Sequence, residues 1–208
     1  MTVDIIKQLN DSDMVLVGLG EELNLKSNAS PDEQENIKKF YDKLNHILLH
    51  KNYFIISLCT DDEIYKSSID ESRVVTPCGG YRLYQCPDGC EHRLYENTEK
   101  TCAICGKELI PNNINADNYL EEGYLSQWEK YKKWVQGTLN RRLFTLELGV
   151  GMKYPSVIRW PFERTTYINN QGYLLRVHSS LYQIPAEMKD KASGIQNNAI
   201  SFVLDLAI

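Results

Sequence analysis

Residues 84–109 read YQCPDGCEHRLYENTEKTCAICGKEL and hold four of the chain's six cysteines. Three residues separate Cys86 from Cys90, eleven follow, and two separate Cys102 from Cys105. Pro87, Asp88 and Gly89 suit a tight turn within the first pair, and Gly106 follows the second. Four thiolates on two such turns make the closed tetrahedral shell of a structural zinc, whereas a catalytic zinc keeps one position open. The first pair carries one residue more than the usual two between its cysteines. His92 could replace one cysteine, but a surface histidine beside the site is the simpler reading. The expected ligands are therefore Cys86, Cys90, Cys102 and Cys105.

On both sides of this hairpin the chain reads as an ordinary α/β domain. Upstream, the apolar run Met14-Val15-Leu16-Val17 stops at Gly18-Leu19-Gly20, a strand running into a tight loop. Ser30-Pro31-Asp32-Glu33 is a helix start with a capping box. Ile37, Phe40, Tyr41, Leu44, Ile47 and Leu48 then recur at helical spacing. NYFIISLCTDD, from residue 52, is a buried strand that ends in polar residues. Downstream, a second amphipathic helix is expected near 117–136, with Tyr124, Trp128, Tyr131 and Val135 on one face and Gly137 to end it. RRLFTLELGVGM is a further strand that stops at Gly149-Val150-Gly151, GYLLRVHSS is another, and the tail NNAISFVLDLAI fits strand or helix.

Buried strands alternating with long helices imply a mostly parallel sheet, and such sheets bind ligands where strands end. The glycine loops either make tight turns or touch a ligand. A chain of 208 residues suits one domain with a small insertion and can bury a core without metal. The net charge of −5 leaves no basic footprint, so nucleic acid is not an expected partner. No stretch approaches a membrane span and the start has no basic, then apolar, leader, so the expected compartment is the cytoplasm. There thiols stay reduced, and closely paired cysteines favour metal over disulfides.

The order of parts runs glycine loop, helix, strand ending in Asp, four-cysteine module, helix, strand ending in a glycine motif, final strand. It resembles the sirtuins, NAD-dependent protein deacylases and ADP-ribosyltransferases. YFIISLCTDDEI is similar to their strand ending in Thr-Asn-x-Asp, with Asp61 in the Asp position. TPCGGYRLYQC resembles the stretch carrying His-Gly before the first zinc cysteine, and CAICGKELIPNN the second cysteine pair. LELGVGMKYPS resembles the Gly-Thr-Ser loop that holds NAD phosphates, and YLLRVHSS the late strand that reaches the adenosine ribose. The run LELGVGM to IRWPFE is most similar to the bacterial sirtuins linked to macrodomain operons, which are associated with ADP-ribosylation of lipoyl-carrier proteins.

The resemblance implies a Rossmann-like domain, residues 1–77 and 116–208, with a zinc module inserted at 78–115. It also implies NAD as cofactor, with Gly18, Gly20, Gly149, Gly151 and His178 around it, Asp61 and Cys78 near the nicotinamide ribose, and a protein as substrate. Four departures bear on activity. Cys78 stands where the family has its catalytic His, and Cys59 where it has Asn. Glu21 and Glu22 stand in the first phosphate loop. The long cofactor loop with its Arg is largely missing, since only Leu23 to Ala29 separate Glu22 from the next helix start.

A deacylase base needs a pKa near the working pH, and an unperturbed Cys lies at about 8.5 with no charged neighbour in sequence to lower it. Direct ADP-ribosyl transfer to a nucleophilic acceptor needs less help. Asp61 could equally cap a turn, His178 could be a core histidine, and Trp128, Tyr131 and Trp134 pack a helix most simply. Trp160-Pro161-Phe162 could line a cleft. Two functions follow. One is a compact sirtuin-like protein that binds NAD or ADP-ribose, with weak or no deacylase activity. The other is an inactive sirtuin fold whose zinc hairpin and Trp-rich helix bind a protein partner. They differ in whether the glycine loops converge on one cleft and what fills it.

Overall fold

The computed structural model describes residues 2–96 and 98–207. Helix α1 (Thr2–Asp11) leads into β1 (Met14–Leu19), then α2 (Pro31–Leu48) and β2 (Asn52–Ser57). Strand β3 (Val74–Val75) precedes the hairpin strands β4 (Gly79–Gln85), β5 (Leu94–Glu96) and β6 (Ile110–Asn113). After it come α3 (Glu122–Gln136), β7 (Leu143–Leu148), α4 (Arg159–Ile168), β8 (Gly172–His178), β9 (Ala192–Gln196) and α5 (Ala199–Asp205).

The main sheet has the strand order β3-β2-β1-β7-β8-β9, and every pairing in it is parallel. Two right-twisted halves therefore diverge from the β1–β7 pair. That pair is the topological switch point, where a crevice opens beyond the carboxyl ends of the strands. Alternation along the strands splits the core in two. Val15, Val17, Leu19 and Ile55 face a cluster with Phe40 and Leu44 of α2 and Val203 of α5. Leu16, Phe54 and Ile56 face Tyr131 of α3 and Phe162 of α4. Buried on both faces, the central strands read as continuous apolar runs.

Local chemistry explains most boundaries. Ser30 caps α2: its hydroxyl accepts the Glu33 N–H at 3.2 Å, and the Glu33 carboxylate accepts the Ser30 N–H at 2.7 Å. The six apolar residues named from periodicity are the buried face of α2. Helix α3 starts at Glu122, later than expected, because the preceding residues serve the hairpin. Gln85 donates to the Asn118 carbonyl at 2.9 Å, and Leu120 N–H donates back to Gln85 Oε1 at 3.2 Å. The tail resolves as helix: Asn198 Oδ1 accepts from Ile200 N and Ser201 N, an N-cap that starts α5. Residues 79–113 form a separate antiparallel sheet in the order β5-β4-β6. Among the described residues, no helix is long and apolar enough to cross a membrane.

Candidate functional site

Two sites arise from this frame, one in the hairpin and one at the switch point. In the hairpin, one ligand atom from each of Cys86, Cys90, Cys102 and Cys105 lies within 4.8 Å of the others. Cys86 Sγ and Cys105 Sγ are 3.5 Å apart. Metal–sulfur bonds of about 2.3 Å in a tetrahedron put sulfur pairs about 3.8 Å apart, so the four thiols fit a metal ion. The backbone amides of Cys105 and Ile104 pull the Cys102 thiol down to about 6, which readies it as a thiolate. The Cys86 thiol beside it pushes Cys90 up to about 12. A cation among the four reverses that crowding. His92 is exposed and stands outside the cluster.

At the switch point, β1, β7 and β8 end side by side. Gly20 lies against the β7 loop so closely that a Cβ there would stand 2.1 Å from the Gly149 carbonyl oxygen and 2.2 Å from Val150 Cα. Gly149 has φ +64°, a left-handed backbone that glycine adopts without strain. Gly18 has a different task. It lies inside β1, and its missing side chain makes room for Ile158, which precedes α4, and for Phe162 within it. Gly20, Gly149 and Gly151 thus converge, and Gly18 packs a helix beneath them.

Two carboxylates fill the convergence. A short 3-10 turn, Glu21–Leu23, follows Gly20. Gly151 N–H donates to Glu21 Oε2 at 2.9 Å. Ser179 N–H donates to Glu22 Oε1 at 3.1 Å, and the Ser179 hydroxyl donates to the same oxygen. These are the backbone donors that an anion would take at the carboxyl edge. What remains open beside them is a cavity of about 190 Å³, reached by Glu21, Thr60, Asn115, Lys153 and Tyr154. Ligand pockets usually run to about 300–1,000 Å³, so a nucleotide needs the carboxylates to move.

His178 ends β8 and is buried. Its Nδ1 accepts from both Ser180 N and Leu181 N at 3.0 Å, so that nitrogen carries a lone pair. Its 3.2 Å approach to Glu22 Oε1 is then no ion pair. Burial lowers the histidine pKa, in keeping with a neutral ring. His178 therefore folds the loop that presents Ser179. Asp61 likewise ties loops together: it accepts Leu25 N at 2.5 Å and Glu63 N at 3.0 Å. Burial raises its pKa, against those two amides, which lower it. It stands between the switch-point loops and a hollow of about 820 Å³ bounded by Asp62, Tyr65, Gly80 and Tyr119.

Cys78 sits in the core beside Leu16, Phe54 and Ile158, and burial, with Glu21 nearby, pushes its thiol up to about 12. Cys59 is buried too, pushed up further by burial and by Asp61, and lies 3.4 Å from the Gly20 carbonyl. Neither thiol offers a base at neutral pH. In native protein at pH 8, iodoacetamide should leave Cys59 and Cys78 unmodified while both react after denaturation. Peptide mass spectrometry reads this, and rapid native labelling of Cys78 would contradict its burial.

The sequence reading missed the charged group under the β7 and β8 ends. Glu147 and Arg176 are direct partners in the β7–β8 register, 0% and 1% exposed. Arg176 donates to Glu147 at 2.5 and 3.2 Å, to Glu163 at 2.7 Å and to the Gln183 carbonyl at 2.7 Å. Arg159 is 7% exposed and donates from Nη2 to the carbonyls of Val150 and Leu181, each at 2.7 Å. A signal was present: one acidic and one basic residue interrupt two neighbouring apolar runs, LFTLEL and GYLLRVH.

No family model matches the chain. A structure described as the basis for the mechanism and regulation of Sir2 enzymes superposes with a TM-score of 0.61 at 14% identity, over 99% of this chain and 97% of that one. A mutant Sir2 homologue in complex with 2'-O-acetyl ADP ribose gives 0.63 at 13% identity, over 99% and 95%. The fold is therefore that of the Sir2 enzymes. In sequence, a protein ADP-ribosyltransferase of Staphylococcus aureus strain Mu50 is 22% identical over a gapped alignment 172 positions long that covers 73% of this chain and 55% of that protein. The chain thus spans about half the length of that relative.

Proposed function

We propose that this chain binds ADP-ribose, free or as part of NAD, across the carboxyl ends of β1, β7 and β8, and transfers ADP-ribose from NAD to a protein acceptor. One observation carries the reading: the amides of Gly151 and Ser179, on adjacent strand ends, each hold a carboxylate. A site built to hold two anionic groups at a switch point is chemically suited to a diphosphate and its ribose. Glu21 and Glu22 then act as stand-ins that leave, or turn to ribose hydroxyls, when the nucleotide enters. The hollow beside Asp61 gives an acceptor segment room near the site.

Deacylation is weak or absent on this reading, because the buried Cys78 thiol cannot take a ribose proton. The Cys86, Cys90, Cys102 and Cys105 group holds zinc, the metal best matched to four thiolates without redox chemistry. Reduced thiols at this spacing fit a cytoplasmic protein. A lipoyl-carrier protein is the acceptor that the macrodomain-linked resemblance suggests. The reading as a protein-binding hairpin alone gives the converged glycine loops only a packing role and leaves the Glu-held amides without a ligand.

Calorimetric titration with NAD and with ADP-ribose tests the proposal, using wild type and a Glu21→Gln, Glu22→Gln variant. Two like charges a few ångströms from a diphosphate oppose it by on the order of several kcal/mol at an effective dielectric of about 20. The variant should therefore bind ADP-ribose about tenfold tighter or more. No heat from either protein up to millimolar ligand would end the proposal.

A further inference from the structure

Arg159 touches neither stand-in carboxylate through a hydrogen bond, yet it holds both loops that carry the receiving amides. Its Nη2 donates to the Val150 carbonyl and the Leu181 carbonyl, each at 2.7 Å. The Val150 carbonyl and the Gly151 N–H belong to one peptide plane. A trans peptide points its C=O and N–H in opposite directions. Pulling the oxygen towards Arg159 therefore turns the Gly151 N–H outward, where it now donates to Glu21. In the loop after β8, the Leu181 carbonyl is drawn to the same nitrogen, while Ser180 and Leu181 donate to His178. The Ser179 N–H, at the start of the same loop, donates to Glu22.

We propose that Arg159 is the positioning residue of the nucleotide site: by drawing in the Val150 carbonyl it aims the Gly151 amide at the ligand's phosphates, and by holding the Leu181 carbonyl it ties down the loop that carries Ser179. The inference rests on the ADP-ribose reading and names which residue sets its phosphate recognition. A further observation supports it. Arg159 Nε is buried with no hydrogen-bond partner among the described residues, so the guanidinium is less satisfied than its burial requires. Burial lowers its pKa and Arg176 adds repulsion, while Glu147, Glu163 and Glu21 act the other way.

The test compares wild type with Arg159→Met and Arg159→Lys in affinity for ADP-ribose and for adenosine, which lacks the phosphates. Backbone exchange at the Gly151 amide is followed without ligand. A hydrogen bond to a charged group contributes enough that Arg159→Met should lose about tenfold or more on ADP-ribose. It should change adenosine binding less than twofold, and its Gly151 amide should exchange faster. Arg159→Lys, which keeps a donor and the charge, should recover part of the ADP-ribose affinity. Equal losses on both ligands, or slow exchange at Gly151 in a folded Arg159→Met protein, would overturn the proposal. Should Arg159→Met fail to fold, Arg159→Lys alone decides: ADP-ribose affinity and Gly151 exchange both equal to wild type overturn it. A wild type that binds neither ligand would instead remove the nucleotide reading, while the exchange result still judges the clamp.

Discussion

Stripping the metal from the hairpin should melt residues 79–113 and leave the six-stranded sheet folded. The small sheet has three strands, and its apolar cluster is little more than Cys86, Tyr95, Cys102 and Leu109 with Tyr84 and Cys90 against it. Two of those four are proposed metal ligands, so without the ion the segment has almost no core. Structural zinc contributes on the order of 10 kcal/mol to such a segment. The main sheet has separate cores on both faces and shares none of these residues. Hydrogen exchange with and without a strong chelator reads the two sheets separately. Amides of β4 and β6 should lose protection while those of β1 and β7 keep it. The hairpin reaches the rest of the chain through Tyr81 N–H to Asp62 at 2.5 Å and Arg82 to Glu71 at 2.9 Å, and through buried Gln85 and Asn112, which hold the segment leading into α3. A single loss of protection across both sheets would contradict this division.

Replacing Glu147 with leucine should destabilise the main sheet by about 3–5 kcal/mol, the range for breaking one side of a buried ion pair. Arg176 is 1% exposed and would keep only Glu163 and the Gln183 carbonyl as partners. Its guanidinium cannot shed its charge. Replacing Glu147 and Arg176 together with apolar residues should cost much less, because no charge is then stranded. Urea denaturation of the three proteins measures both effects. Equal losses for the single and double variants would mean that the pair matters through packing alone.

Much of this architecture was readable beforehand, for physical reasons that can be named. The α2 boundaries follow from a capping box and an apolar repeat, both local signals that packing reinforces. The parallel core follows from apolar runs too continuous for a half-exposed strand. Strand β9 escaped notice because it is a short edge strand, half exposed, with a glycine at its centre. Glu147 and Arg176 escaped because each, taken alone, reads as one polar interruption in a strand. Only the register, which no local pattern fixes, makes them partners.

The site itself divides in the same way. Four cysteines at metal spacing announced themselves, since ligand geometry is written in short loops. The convergence of Gly20, Gly149 and Gly151 was foreseeable from two strands ending in glycine turns. The repulsion between Glu21, Glu22 and a diphosphate was also foreseeable from their place in the first loop. Which amides those carboxylates would take was not, because Gly151 and Ser179 come from distant segments that meet only in the folded sheet. Arg159 was invisible for the same reason: its importance lies in two carbonyls, and carbonyls leave no mark in sequence.

The most direct single measurement is a nitrogen-15 spectrum of the metal-loaded protein titrated with ADP-ribose. If nucleotide takes the amides that Glu21 and Glu22 now hold, the Gly151 and Ser179 resonances should shift together and saturate, with Gly20 and Gly149 following. Gly106, in the hairpin, should stay still. Shifts confined to the hairpin, or none at Gly151 and Ser179 at millimolar ligand, would show that the carboxyl edge of this sheet receives no nucleotide.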